Sequence, residues 1–275
     1  MAARGGVEVE RLTITAILTT HRRPDLLPRA LRSLAAEQRR PDEILVVEDG
    51  NDPATVAAIR AEGIACRLVQ RPVGGVARAR NMGLREAGCE WVIYLDDDDI
   101  AYPGRCRALE AAALRSQCAL VYGSTLKLAS GSPRLVPTHH PAGEGPARFR
   151  DFLRCMPHTN SILFRRKDLL DCGGFVERSS YFSDWCALLH LLDRLPEGAY
   201  GIPLPLAEFQ ARSEGMTLAV ARDNAMRTKV LEAFDCLRLV DEQNRRELQK
   251  VRRAVELASP FHDYDAYVAL ASRHI

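Results

Sequence analysis

Glu90-Trp91-Val92-Ile93-Tyr94-Leu95-Asp96-Asp97-Asp98-Asp99 joins two kinds of residue that a folded chain keeps apart. The stretch up to Leu95 is short, apolar, aromatic and β-branched, the composition of a buried strand. Four carboxylates follow with no spacer, and Pro103 closes the segment. Like charges packed this tightly repel one another, and no core buries them unpaired. They belong at the open end of a strand, where a divalent cation bridged to phosphate oxygens would offset the repulsion. An isolated acidic run is more often a solvated turn, so the neighbouring segments decide.

Working outward, strand and helix signals alternate through the first half. Leu12 to Leu18 reads as a strand and Asp25 to Gln38 as a helix with Leu27, Ala30, Leu31 and Leu34 on one face. Glu43 to Glu48 is a second strand, Pro53 to Glu62 a helix opened by proline, and Cys66 to Gln70 a third strand. Gly75 to Ala87 is a helix that leads into the aspartate-tipped strand. Strands separated by helices of this length pair in parallel through right-handed crossovers. Ligands of such sheets bind beyond the carboxyl ends of the strands. Thr19-Thr20-His21, Glu48-Asp49-Gly50 and Asp96 to Asp99 all fall there.

After the aspartates come a helix from Tyr102 to Ser116 and a strand from Ala119 to Leu128. Residues 130–147, rich in Gly, Pro, Ser and His, read as irregular; His139-His140 lie there without an evident partner for a metal site. Ser161 to Arg165 reads as a strand and Asp184 to Leu195 as a helix. The extended segment at 200–209 carries prolines that suit a sheet edge. Asp223 to Ala258 reads as one long charged helix whose default role is packing on the core, with dimerisation or a membrane surface as alternatives.

The composition narrows the class. A chain of 275 residues with 47% apolar and 27% charged residues is an ordinary globular protein with room for a proper core. A net charge of +2, from 38 basic and 36 acidic residues, gives no field for nucleic acid. The eight cysteines are scattered with no CxxC pair, which fits reduced thiols rather than a disulfide framework. The polar start lacks an apolar signal core, and no stretch approaches the ~18 apolar residues of a membrane span. The expectation is a cytoplasmic protein without a transmembrane span.

In order and spacing, these segments resemble the inverting glycosyltransferases of the GT-A fold, family 2 type. The resemblance covers roughly residues 12–217. It rests on Ile17-Leu18-Thr19-Thr20-His21-Arg22-Arg23-Pro24, on Glu43 to Gly50, and on Gly74-Gly75 with Ala79-Arg80-Asn81-Met82-Gly83. Tyr94 to Asp99 and Cys172-Gly173-Gly174-Phe175 with Ser183-Asp184-Trp185 complete it. The resemblance implies an α/β GT-A fold, a mostly parallel doubly wound sheet with a C-terminal helical extension. It implies a catalytic domain over 1–217, with a nucleotide-binding half at about 1–128 and an acceptor-binding half at about 129–217, and the extension over 218–275.

The same resemblance assigns roles. Thr19 and His21 would contact the base of a nucleoside-diphosphate sugar donor, with His21 stacking on it. Asp49 would accept the base N–H, and an acceptor-only carboxylate selects the imide of uracil or thymine. Arg80 would face the nucleotide and diphosphate. Asp98 would ligate Mg²⁺ or Mn²⁺, with Asp96 or Asp97 holding ribose hydroxyls or outer waters. Asp184 would be the general base that takes the proton of an acceptor hydroxyl or amine. His158, Trp185 and Arg212 are expected at the acceptor or diphosphate. Arg212 stands where the family often has a histidine able to join the metal, and an arginine cannot, although it binds phosphate well. Plainer alternatives stay open. Asp49-Gly50-Asn51-Asp52-Pro53 is also turn chemistry, Asp184 also a helix cap, Arg80 also a surface ion pair, and Gly173-Gly174 also a helix end. Against the transferase stand a sugar-phosphate nucleotidyltransferase, demoted because Thr19 to Pro24 has no glycine, and a non-catalytic nucleotide-sugar binder.

Overall fold

The computed structural model describes residues 11–128, 135–137, 143–179, 181–210, 226–258 and 264–274. Its centre is β1 (Ile14–Thr20), buried at every position. It pairs in parallel with β2 (Glu43–Asp49) on one side and β4 (Trp91–Asp96) on the other, and β3 (Arg67–Arg71) extends the sheet beyond β2. Side chains alternate across this block. Ala16, Leu18, Val46, Ile93 and Leu95 face one layer of helices; Ile17, Leu45, Val47, Val92 and Tyr94 face the other. This period of two, apolar on both faces, is what a doubly covered sheet requires. The first layer includes α1 (Leu27–Ala35), α2 (Pro53–Ala61) and α4 (Arg105–Ser116). The second starts with α3 (Val76–Glu86), which lies so close that a Cβ on Gly83 would sit 2.5 Å from Ile17 Cγ2.

Beyond β4 the sheet is mixed. The whole order is β3-β2-β1-β4-β9-β6-β10-β5, with β7 beside β6 and β8 beside β10. Here β5 is Ile100–Ala101, β6 Leu120–Leu128, β7 Leu135–Pro137, β8 Gly145–Ala147, β9 Ile162–Arg165 and β10 Ala199–Phe209. Strand β9 runs antiparallel to both β4 and β6, so parallel pairing dominates only the first half. The expected edge at 200–209 is an interior strand: β10 pairs with β6 on one side and with β5 and β8 on the other. Its register breaks on either side of Pro205, so the proline sits where the ladder is already interrupted. Residues 130–147, read as irregular, contain β7 and β8, while His139 and His140 lie outside the described residues.

The expected single helix at 223–258 is two, α8 (Met226–Cys236) and α9 (Glu242–Leu257). Asp241 caps α9 by accepting from Asn244 N at 2.8 Å, and Asp193 accepts from Asp241 N at 3.2 Å and Asn244 Nδ2 at 3.0 Å. Side-chain carboxylates thus satisfy the break. With α10 (Tyr264–Ala271) these helices share one core with α5 (Phe149–Arg154), α6 (Arg166–Asp171) and α7 (Ser183–Leu192). Val251 and Val255, the buried face of α9, belong to that core. Among the described residues no helix is long and apolar enough to cross a membrane, and all eight cysteines are free.

One buried ion pair underlies the acidic turn. Arg105 and Glu37 both have fully buried side chains, with Arg105 Nη2 2.9 Å from Glu37 Oε1. Arg105 Nη1 also donates to the carbonyls of Tyr94 and Asn160, and Glu37 Oε2 accepts from Cys106 N at 2.7 Å. The pair ties α4 and the end of α1 to the last residues of β4 and to the 159–161 turn.

Candidate active site

A cleft of about 650 Å³ opens at the carboxyl ends of β1, β2 and β4. Each donor-side residue expected there is on its wall: Thr19, His21, Asp49, Arg80, Asp96, Asp97 and Asp98, together with His158 and Asp184. Chain geometry explains why. Strands β1, β2 and β4 end at Thr20, Asp49 and Asp96, so the residues that continue them stand on one rim. On α3, Val76, Ala79 and Arg80 line the cleft at i, i+3 and i+4, one face of a helix.

The four aspartates occupy different environments. Asp96 ends β4, and both of its oxygens accept from Arg80 Nη2 at 3.0 Å. Asp97 is buried; Thr20 Oγ1 donates to it at 2.7 Å and Arg23 Nη1 at 2.8 Å. Asp98 faces the cleft, with Arg23 Nη1 3.0 Å from one oxygen. Asp99 is buried, accepting from Gln210 N at 2.9 Å and from Asn160 Nδ2. Burial, and then the Asp96 charge, push the Asp99 carboxyl up to about 8. Burial also raises Asp97, against the pull of Arg23. Asp96 goes the other way: burial opposes its charge, but Arg80 and His158 hold it below the usual carboxylate range. The cluster therefore avoids four full charges through guanidiniums and through carboxyls that hold their protons more tightly.

Arg80 joins the two sides of the cleft. It is 5% exposed, grips Asp96, and places Nη1 3.6 Å from Asp184 Oδ2. Burial works against its charge, but Asp96 and Asp184 outweigh burial and raise its pKa further. Its ring-side contact is Phe175, whose centroid lies 5.5 Å from Arg80 Cζ. The next residue, Asn81, clamps the Phe175 backbone by donating to its carbonyl and accepting its N–H, both at 2.8 Å. Gly173 and Gly174, at φ +96° and +69°, end α6 with N–H bonds to Leu170 O and Leu169 O at 2.9 Å. A Cβ on Gly174 would meet Asn81 Oδ1 at 2.5 Å. The glycine pair is therefore a helix end that also lets Phe175 dock on α3.

Asp184 is in the first turn of α7, and the residue in the cap position is Phe182. Its Oδ2 accepts from Thr159 Oγ1 at 2.9 Å, and its Oδ1 from the N–H of Trp185. A carboxylate at a helix N-terminus is stabilised by the helix dipole. His158 lies across from it, half-buried against Phe209 at 4.9 Å between centroids, with Nδ1 lacking a partner among the described residues. Burial lowers the His158 pKa, against the pull of Asp96 and Asp184.

Asp49 is engaged at both oxygens. Arg71 Nη1 and Gly74 N donate to Oδ1, Gly75 N donates to Oδ2 at 2.8 Å, and the carboxylate is 3% exposed. The Gly74 and Gly75 N–H groups thus point at a side chain of the protein. His21 Nδ1 bonds the Asp49 carbonyl, and its ring lines the cleft.

These features match a known family. The model of glycosyl transferase family 2 fits residues 15–173, more than half of the sequence. The chain belongs to glycosyl transferase family 2. An uncharacterized glycosyltransferase of Haemophilus influenzae is 23% identical over 188 residues, spanning 66% of this chain and 68% of that protein. Galactofuranosyltransferase GlfT1 of Mycobacterium tuberculosis is 35% identical over 103 residues, 35% of this chain and 34% of that one. The chain thus spans only about a third of that relative's length. Among solved structures, Staphylococcus aureus TarS 1-349 in complex with UDP-GlcNAc superposes with a TM-score of 0.68 at 16% identity, covering 89% of this chain and 72% of that one. Mannosyltransferase PcManGT from Pyrobaculum calidifontis, in complex with GDP-Man and Mn²⁺, gives 0.67 at 16% identity, over 97% and 74%. These structures establish the GT-A fold of this glycosyltransferase.

One expected site residue is elsewhere. Trp185 is fully buried in the helical core, its Nε1 donating to Phe152 O at 2.7 Å and its ring packed on Phe182, Phe234 and Tyr267. It makes no part of the cleft wall, because one residue along a helix is a turn of roughly 100° away from Asp184. Arg212 lies outside the described residues. The transferase also has cleft residues that its sequence did not single out: Arg23 and Lys127 supply positive charge, and Tyr181, Tyr264 and Asp265 form the far wall. Arg23 stood inside the quoted opening motif and was findable. Tyr264 and Asp265 come from α10, which only the tertiary fold carries to the site.

The donor set suits a hard divalent ion of the magnesium type. Such an ion takes one or two carboxylates and fills its other positions with phosphate oxygens and water. Asp98 and Asp96 can supply the carboxylates at the cleft. Among the described residues no group of three or more acidic, His or Cys side chains is arranged as an all-protein cage.

Proposed function

We propose that this family 2 transferase inverts the anomeric carbon of a sugar carried by a nucleoside diphosphate, with uridine or thymidine the preferred nucleoside and Asp184 the base. One observation carries the proposal. A single buried guanidinium, Arg80, touches the carboxylate that ends β4 and the carboxylate that starts α7. Donor rim and candidate base are therefore one side chain apart, in one cleft.

In this reading the nucleoside lies at the ends of β1 and β2, with Thr19 and His21 beside the base and Asp49 exchanging one of its internal bonds for the base N–H. Asp96 and Asp97 lie at the ribose side. The diphosphate lies toward Asp98, Arg23 and Lys127, with His158 and Arg212 as further contacts. Mg²⁺ or Mn²⁺ held by Asp98 would neutralise charge on the departing diphosphate. The acceptor enters along Tyr181, Phe182, Tyr264 and Asp265. Its hydroxyl or amine forms the new bond to the anomeric carbon from the face opposite the diphosphate. The old carbon–oxygen bond breaks with its electron pair leaving on the diphosphate, and the acceptor proton passes to the Asp184 carboxylate. Thr159 and Arg80 hold that carboxylate in place while it does so.

The test is Asp184→Asn. Loss of a general base costs about 10²–10⁴-fold in turnover, read as nucleoside diphosphate released with acceptor present, while donor affinity stays near wild type. Full activity, or an equal loss of donor affinity, refutes the base assignment. Pyrophosphate released from a nucleoside triphosphate would instead favour the nucleotidyltransferase, and binding without product the non-catalytic domain.

A further inference from the structure

Helix α7 presents Asp184 to the cleft, and further along it presents His190 to a second cavity. This cavity, of about 290 Å³, is lined by Arg178, Arg194, Arg238, His190 and the Gly173-Gly174 helix end among others, and it shares no lining residue with the cleft. Each guanidinium is anchored by a backbone carbonyl. Arg178 Nη2 donates to Cys236 O at 2.7 Å, Arg194 Nη1 to His190 O at 3.3 Å, and Arg238 Nη1 to Asp235 O and Leu237 O at 3.0 Å. An arginine has five N–H donors, so most of each fork is left over.

The nearby acids are committed elsewhere. Asp193 accepts from Asp241 N and Asn244 Nδ2, Glu177 pairs with Arg78 at 3.0 Å, and Asp235 pairs with Arg252 at 2.6 Å. None of the three cavity arginines has an ion pair with a described residue. His190 registers their field. Its Nε2 accepts from Arg238 N at 2.9 Å, and burial, then Arg194, Arg178 and Arg238, lower its pKa against Asp193 alone. A Cβ on Gly173 would meet nothing within 4 Å, so the space beside Gly173 is open.

The three arginines are solvent-exposed along this concavity, and together they set up a local positive potential that favours an anion. Anchored planar forks match tetrahedral oxyanions, which they bind through paired hydrogen bonds. We propose that this cavity is a binding site for a phosphate group, either on a small soluble molecule or on a lipid headgroup. It is separate from the transfer site and does not depend on the reading of that cleft.

The test reads the His190 ring by NMR in the full chain, in chloride-poor buffer without divalent metal. Inorganic phosphate, then pyrophosphate, is titrated in one arm and phosphatidic acid vesicles in the other, with sedimentation as a second readout for vesicles. His190→Gln assigns the resonance. Saturable movement of the His190 signal is expected, and Arg194→Ala with Arg238→Ala weakens it by about tenfold or more, the equivalent of at least 1.4 kcal/mol. A response to soluble phosphates alone identifies a free ligand; sedimentation with vesicles that the double variant abolishes identifies a lipid. No movement in either arm, or movement unchanged in the double variant, overturns the proposal. Reading at His190 keeps pyrophosphate that enters the cleft from counting as support.

Discussion

Two buried arginines show what separates scaffold from site in this molecule. Arg105 is sealed, with one carboxylate partner and two carbonyls, and none of these three residues lines the cleft. Arg80, 5% exposed, is divided between two carboxylates that belong to opposite walls, and its Nε is left without a partner among the described residues. The first arrangement closes its hydrogen-bond account and fixes α1, α4 and β4 together. The second holds charge in readiness beside an opening. The sealed pair closes on itself, whereas Arg80 keeps its contacts at the open rim of the cleft.

That contrast can be broken by mutation. The largest effect is expected at the sealed pair: Glu37→Gln leaves the Arg105 charge buried without its partner and costs about 3–5 kcal/mol of stability. Urea denaturation measures this, and activity per folded molecule stays unchanged. A Glu37→Leu, Arg105→Met double variant should recover only part of the loss, since it removes the buried charge but takes these partners from the Tyr94 and Asn160 carbonyls and the Cys106 N–H. Next, Arg80→Lys keeps the charge but cannot bridge Asp96 and Asp184. Losing hydrogen bonds to charged groups is worth about 1.5–3 kcal/mol, so kcat/KM falls roughly ten- to a hundredfold with a small change in melting temperature. If the two variants exchange phenotypes, the contrast is wrong.

Smaller effects sharpen it. Asn81→Ala removes both bonds to the Phe175 backbone and should cost about 1–3 kcal/mol, with some loss of activity because Phe175 lies against Arg80. Trp185→Phe should cost about 1 kcal/mol through the lost bond to Phe152 O, with the KM for donor and acceptor unchanged. A raised acceptor KM would return Trp185 to the site.

The first half of the fold was legible because its strands are short apolar, β-branched runs and its helices are separated by turn residues. Nothing in Leu12 to Leu95 depends on distant partners to be recognised. The second half is different. The break at 237–241 is satisfied by Asp193, some fifty residues earlier, and no local pattern reveals it. Helices α5 and α6 are too short to show a period, and Pro203 and Pro205 mislead because β10 breaks register around them. At the site, the rim carboxylates were readable from their place after strands, and Arg80 from the resemblance of its motif to the family. Trp185 was misplaced by adjacency in sequence, since a helix turns neighbouring side chains roughly 100° apart. Tyr264 and Asp265 had no signal, since only the packing of α10 on α5 brings them to the cleft.

The central claim is that a nucleoside diphosphate is held at this rim with a divalent ion at Asp98. A thermal-shift series with uridine, thymidine, guanosine and cytidine diphosphates, with and without Mn²⁺, on wild type and Asp98→Asn, addresses it directly. A ligand present at about 100 times its Kd adds about 2.7 kcal/mol to apparent stability, which is readily seen. The account predicts that uridine or thymidine diphosphate raises the midpoint most, that Mn²⁺ enlarges the shift, and that Asp98→Asn removes the Mn²⁺-dependent part alone. Equal shifts with and without Mn²⁺ in both proteins, or no shift with any of the four, would contradict it.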